Sequence, residues 1–161
     1  MAIEEEVKKD LEGRFGGVLK ASRVLRPRVV QVRIDRRDLL PIAKHLKATG
    51  FEHLSCISAV DWVTRFESVA HVTSWSRNCL VEIVAEIPHD NPKIDSLFGV
   101  WPGADFHERE AWDLMGITYT GHPNLERILL PRDFKYHPLR KDFPQEVDRQ
   151  YISRRKLKGG K

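Results

Sequence analysis

The stretch WPGADFHEREAWDLMG, Trp101 to Gly116, runs directly into ITYTGHPNLERILLPRDFKYHPLRKDFP, Ile117 to Pro144, and the contrast between the two decides how the chain is built. The first reads as a compact helix. Pro102 and Gly103 break the chain, Asp105 places a carboxylate where the helix dipole favours one, and Ala104 to Met115 holds neither Gly nor Pro before Gly116 stops it. At about 100° per residue, Ala104, Glu108, Ala111, Trp112 and Met115 share one face. Glu108 therefore stands among apolar neighbours. A lone buried charge is costly, so Glu108 is expected to be neutral or paired. The partner is an arginine, with Arg127 or Arg140 as candidates, or a set of backbone N–H groups. At the edge of the face it would instead be solvated. Arg109, Glu110 and Asp113 point away from that face.

The second stretch is a ribbon. Pro123, Pro131, Pro138 and Pro144 each remove a backbone donor and push the preceding residue out of helical space. No segment between them is long enough for a stable helix. Yet Ile117, Tyr119, Leu125, Ile128, Leu129, Leu130, Phe134, Tyr136, Leu139 and Phe143 make the ribbon too apolar for a disordered linker. Long structureless loops are uncommon inside compact domains. The ribbon is expected to lie on a surface, partly that of its own domain and partly that of another protein, and to gain its order by binding.

Upstream, Ile3 to Phe15 reads as an amphipathic helix ended by Gly13, Gly16 and Gly17. Val18 to Leu25 and Val29 to Ile34 read as strands. Asp35 is a good N-cap for a helix from Arg36 to Ala48, with Leu39, Leu40, Ala43 and Leu46 inward and Gly50 closing it. Phe51 to Trp62 is a strand. Phe66 to Trp75 and Cys79 to Ile87 form an antiparallel hairpin turning at Arg77-Asn78. Ile94 to Val100 reads as a short helix. Strands grouped together with helices before and after predict an α+β fold: a mixed or antiparallel sheet with helices packed on it, followed by a long extended C-terminal ribbon. The expected division is an α+β domain over 1–116 and a partner-wrapping segment over 117–161.

The chain has 161 residues, 41% hydrophobic and 31% charged, which fits one soluble domain with an extension. No run approaches about 18 apolar residues, so no membrane span is expected. The acidic N-terminus excludes a secretory signal. Cys56 and Cys79 show no metal-ligand or redox-pair spacing and are expected to be free thiols in a reducing compartment. The net charge of +4 is concentrated at one end: residues 140–161 carry eight Lys/Arg against three acids, leaving a near-neutral body. The last residues read as a solvated or partner-bound tail.

Chemistry-bearing motifs are few. The chain has no Gly-rich nucleotide loop, no P-loop and no nucleophile elbow. His107-Glu108 begins like a zinc-protease helix but lacks the second His four residues on, so no metal site is expected. Asp61-Trp62 and Pro88-His89-Asp90 read as strand-end turns. His53, His122 and His137 are expected to bond backbone or a partner rather than to catalyse. The basic tail could bind nucleic acid, but it lacks interleaved aromatics and a recognition module. The residues favour an interaction subunit over a self-contained enzyme.

Phe106-His-Glu-Arg-Glu-Ala-Trp-Asp-Leu-Met-Gly116, Gly121-His-Pro-Asn-Leu-Glu-Arg-Ile-Leu-Leu-Pro131 and His137-Pro-Leu-Arg-Lys-Asp142, together with Ser58-Ala-Val-Asp-Trp62, resemble the 30-kDa (C) subunit family of respiratory complex I. The resemblance implies a peripheral-arm subunit on the cytoplasmic side of the membrane, in a proton-pumping oxidoreductase that passes electrons from NADH or a reduced deazaflavin coenzyme to a quinone-like acceptor. It implies no redox centre on this chain: iron–sulfur clusters, flavin and quinone belong to partner subunits. The implied partners are the large quinone-site (D) subunit and the cluster-bearing (B and I) subunits, with no nucleic acid. Glu108, Arg109, Glu110, Asp113 and Gly116 are then expected to fix the helix-to-ribbon junction. His122, Pro123, Arg127, Pro131, His137, Pro138, Arg140, Lys141 and Asp142 are expected to contact partners. Related chains serve membrane-bound hydrogenases, and a free-standing nucleic-acid module is the competing class.

Overall fold

The computed structural model describes residues 2–144 and 146. The basic end from Arg149 to Lys161 lies outside them. The elements run α1 (Ile3–Phe15), β1 (Leu19–Arg26), β2 (Val29–Asp35), a 3-10 turn (Arg36–Asp38), α2 (Leu39–Ala48), β3 (His53–Asp61), β4 (Arg65–Ser74), β5 (Cys79–Pro88), β6 (Lys93–Asp95), α3 (Ala104–Met115) and β7 (Thr118–Thr120). Five strands form a sheet in the order β1-β2-β5-β4-β3, and β6 and β7 form a second, two-stranded one. The fold is α+β, and the large sheet is mixed. Its hairpins β1-β2, β3-β4 and β4-β5 are antiparallel, whereas β2 and β5 run parallel. The long connection through α2, β3 and β4 is what a parallel pair requires.

Strand alternation gives the sheet two different faces. Val30, Val32 and Ile34 of β2, Val81, Ile83, Ala85 and Ile87 of β5, and Phe66 and Val72 of β4 are sealed against one core. Val7 and Leu11 of α1 and Leu39, Ile42 and Leu46 of α2 close it from above. The opposite face carries Arg23, Gln31, Arg33, Glu67, Glu82 and Glu86, joined by hydrogen bonds and ion pairs from strand to strand.

Two expected features differ. Residues Ile94 to Val100 are not a helix: β6 takes the first of them and turns the rest. Their amide donors are claimed from elsewhere in the chain, Ser96 N–H by the Thr120 carbonyl and Leu97 N–H by Glu108, which leaves no helical ladder. Asp35 does cap, accepting from Arg37 N–H at 3.1 Å, but what it starts is the 3-10 turn. The α-helix begins only at Leu39, and Ile42 rather than Leu40 faces the core.

The second sheet joins α3 to the body. β7 follows Gly116, beyond the expected division at that residue, and pairs with β6. Its Tyr119 is fully buried and its hydroxyl meets Ser68 Oγ of β4 at 3.2 Å. Trp101 donates its indole N–H to the Phe51 carbonyl at 3.0 Å, fixing the approach to α3.

Candidate functional site

Three carboxylates organise the region where α3 gives way to the ribbon. Glu108 is wholly buried on the inner face of α3. Its partner is not Arg127 or Arg140. Oε2 accepts from Ser96 Oγ at 2.5 Å and Oε1 from Leu97 N–H at 2.6 Å, so of the expected partners only the backbone donor is present. Ser96 is a partner that sequence reasoning misses, because its segment reads as helix. With no cation at hand, burial pushes the Glu108 carboxyl up to about 7, despite the two donors, and nearby Asp105 adds to the rise.

That shift has a stability consequence. An acid whose folded value exceeds its unfolded one supports the fold below the unfolded value and loses that support as pH rises through the folded one. The attachment of α3 to β6 is therefore firmest near and below pH 4.5 and weakens towards and beyond about 7. At about 1.4 kcal/mol per pH unit, the loss is on the order of 3 kcal/mol. Glu108→Gln retains an acceptor for Leu97 and cannot ionise. Thermal unfolding of the two proteins between these limits should show a falling Tm for the parent and a flatter profile for Glu108→Gln. Parallel profiles would contradict the assignment.

Asp113, on the side of α3 away from its apolar face, meets the ribbon. It is completely buried. Oδ1 accepts from Arg127 Nη1 at 2.5 Å. Oδ2 accepts three successive amides, those of Ile128 at 3.1 Å, Leu129 at 2.9 Å and Leu130 at 3.0 Å. Burial opposes the charge, but the amides of Leu130, Leu129 and Ile128 together with the Arg127 guanidinium outweigh it and hold Asp113 below the usual carboxylate range. The ribbon, not solvent, covers that side of α3. The ribbon wraps round the same helix end: His137 Nδ1 lies 3.0 Å from the Asp113 carbonyl and Leu139 N–H donates to the Leu114 carbonyl at 3.0 Å. Arg127 lies over the rings of Trp112 and Phe134. Gly116 is left-handed, at φ 76°, and the His137 ring rests against it, 2.6 Å from where a Cβ would stand.

Asp61 is the third anchor, at the tip of the β3–β4 hairpin. Nearly buried, it accepts Val63 N–H at 2.7 Å on one oxygen and Lys141 N–H at 2.9 Å on the other. Arg140 lies over Phe66, which stacks on His89, and bonds Asp142 through two nitrogens at 2.9 and 3.1 Å. Its Nη2 is also 3.3 Å from His89 Nε2. Potential ligand atoms of Asp61, His89 and Asp142 lie within 4.8 Å of one another, and Arg140 bonds two of these residues, His89 and Asp142. In the sequence Asp61 reads as the end of a strand; only the fold brings Lys141, eighty positions on, to its side chain.

The remaining expected residues serve local roles. Arg109 donates to the Glu126 carbonyl at 3.1 Å. His122 Nδ1 accepts Asn124 N–H, and its Nε2 lies at ion-pair distance from Asp105, 3.3 Å, without hydrogen-bond alignment. The Pro131 carbonyl accepts Phe134 N–H. Pro138 is half-buried, whereas Glu110 and Pro123 are exposed. Glu110 and Leu139 border a groove of about 170 Å³ between β3 and α3, floored by Ile57, Ala59 and Ala111. The ribbon turns other large side chains outward: Leu129 is 59%, Leu139 55% and Tyr136 47% exposed, with Trp62 of the neighbouring hairpin at 50%. Among the described residues, no helix is long and apolar enough to cross a membrane.

A small α+β body, with an arm pinned to it by buried carboxylates and apolar side chains facing out, has the build of a protein made for assembly. The chain belongs to the respiratory-chain NADH dehydrogenase 30 Kd subunit family, whose model matches residues 32–149. It is similar to the C subunit of NADH-quinone oxidoreductase from Roseiflexus sp. strain RS-1, with 41% identity over 121 residues, covering 71% of this chain and 68% of that one. Among solved structures, the trypsin-resistant fragment (1-134) of Nqo5 superposes with a TM-score of 0.64 at 27% identity, over 78% of this chain and 100% of that one. A chain of the membrane-bound sulfane sulfur reductase, an archaeal respiratory membrane complex, shares the fold with a TM-score of 0.80 at 23% identity, over 92% of this chain and 91% of that one.

Proposed function

We propose that this chain is a non-redox structural subunit of the peripheral arm of a complex I-type oxidoreductase. It scaffolds the large (D) subunit that bears the quinone site, beside the cluster-bearing (B and I) subunits, on the cytoplasmic side of the membrane. Iron–sulfur clusters, flavin and quinone sit on those partners. Electrons come from NADH or a reduced deazaflavin coenzyme. The family and the Roseiflexus relative support the assignment to this class of complex.

The observation that carries the scaffolding role is the two-sided ribbon. Asp113 and Asp61 hold its backbone to this chain. Leu129, Tyr136 and Leu139 are left exposed along it. An anchored row of apolar side chains is pre-organised for a protein surface, so binding need not order it first, which differs from the expectation that the ribbon gains its order by binding. Leu129 makes the cleaner test, because Tyr136 also meets the rings of Phe134 and Phe143. Leu129→Glu should keep the Tm of the isolated chain within about 2 °C, since surface changes shift stability little. It should nonetheless fail to co-purify with a large quinone-site protein. A purified complex that retains its full set of subunits would overturn the proposed contact.

A further inference from the structure

The open face of the sheet carries a hydrogen-bonded row that the ribbon does not use. It crosses all five strands. Arg23 Nε of β1 donates to Gln31 Oε1 of β2 at 2.8 Å, and Gln31 Nε2 donates to Glu82 Oε1 of β5 at 2.5 Å. Glu82 Oε2 lies 3.2 Å from His71 Nε2 of β4, and His71 Nδ1 lies 3.3 Å from Cys56 Sγ of β3. Strand register builds this row: Arg23 is opposite Gln31, Gln31 opposite Glu82, Glu82 opposite His71, and His71 opposite Cys56. The thiol at its end is half-buried, on the edge strand of the sheet.

The order of groups gives each a direction. Gln31, itself oriented by Arg23, fixes one oxygen of Glu82. The other oxygen lies 3.2 Å from His71 Nε2; the tautomer with its proton on Nε2 suits that carboxylate and places a lone pair on Nδ1, facing the thiol. A carboxylate, an imidazole and a thiol in that sequence form a nucleophile–base–orienter set. We infer that Cys56 is an activated thiol, set up for exchange with small-molecule disulfides of the oxidised glutathione class. The Cys56 proton passes to His71 Nδ1, and Glu82 stabilises the imidazolium. The thiolate attacks one sulfur of the disulfide. The new bond joins Cys56 Sγ to that sulfur while the original S–S bond breaks. The other half leaves as a thiolate and takes the proton from His71. Cys56 is oxidised to a mixed disulfide, and one half of the reagent is reduced to a thiol.

Cys79 supplies an internal contrast. It is 1% exposed, burial pushes its thiol up, and no imidazole partner is present among the described residues. A free thiol is only about a few per cent thiolate at neutral pH, so activation has room to raise the rate by roughly tenfold. The full-length chain should be mixed with oxidised glutathione at neutral pH, and the adduct at each cysteine followed by mass spectrometry. Cys56 is expected to form the mixed disulfide about tenfold faster than an unstructured cysteine peptide, and Cys79 to stay unmodified until the chain is unfolded. His71→Gln should bring Cys56 down to the peptide's rate, and Glu82→Gln should lie between. His71→Ala should regain part of the lost rate when free imidazole is added, an effect that a merely structural role for His71 would not give. Circular dichroism of each variant confirms that it is folded. A Cys56 no faster than the peptide, or a folded His71→Gln with an unchanged rate, would overturn the inference.

Discussion

Asp113→Ala is expected to release the ribbon from the body. The substitution leaves the Arg127 guanidinium, which is largely buried, without its counter-charge, and strands the three amides of Ile128, Leu129 and Leu130. Removing one member of a buried pair costs about 3–5 kcal/mol. That is a large part of the roughly 5–15 kcal/mol by which a domain is stable. Asp113→Asn should be little better, because one amide oxygen cannot serve both Arg127 and the three N–H groups. Hydrogen exchange at Ile128 to Leu130 reads the effect directly. These amides should be protected in the parent and exchange at least about a hundredfold faster in Asp113→Ala, as a cost of that size predicts. Because Asp113 is held below the usual carboxylate range, the parent should lose the same protection only as pH falls through that low value. Unchanged exchange in Asp113→Ala would mean that the ribbon is held by something else.

Gly116→Val is the second large effect. A β-branched residue at φ 76° is strained by roughly 1–3 kcal/mol. Its Cβ would also fall 2.6 Å from His137 Cδ2, so the imidazole must leave the Asp113 carbonyl. Overpacking of this kind adds about 1–3 kcal/mol. The expected result is a Tm lower by roughly 5–15 °C. Adding Gly116→Ala to a His137→Ala background separates the two causes: the lost His137 contacts are common to both members of that pair, the collision is gone, and the difference between them is the backbone strain. If Gly116→Val melts with the parent, the close approach of His137 is not part of the native packing.

The anchors and the body differ in how far a sequence can foretell them. The strands are legible because Val30, Val32 and Ile34 alternate with polar residues, and the Arg77-Asn78 turn joins Phe66 to Trp75 with Cys79 to Ile87 as an antiparallel hairpin. Helix α3 is legible from its Gly and Pro boundaries. The α+β class follows from the grouping of strands. Residues Ile94 to Val100 mislead because their amides bond Thr120 and Glu108, and such long-range partners leave no local periodicity. The helical wheel sets Asp113 off the apolar face but cannot supply its partners: Arg127 and three ribbon amides reach it only through the fold. The short β7 leaves no signal because a three-residue strand draws its stability from its neighbour. Asp61 and Lys141 meet only through the hairpin tip. The family resemblance groups the stretches that contain them without supplying the contact. The row from Arg23 to Cys56 is invisible for want of a register, since its five members become neighbours only once each strand is paired.

The ribbon therefore belongs to this chain through its backbone and the side chains of Arg127, His137 and Arg140, and, as proposed, to another protein through its exposed apolar side chains. The most direct test is affinity purification of the tagged full-length chain from native membranes, with every co-eluting protein identified. The account predicts stoichiometric recovery of a large quinone-site protein together with cluster-bearing subunits. Recovery of the chain alone, or bound to nucleic acid with no such proteins, would contradict it.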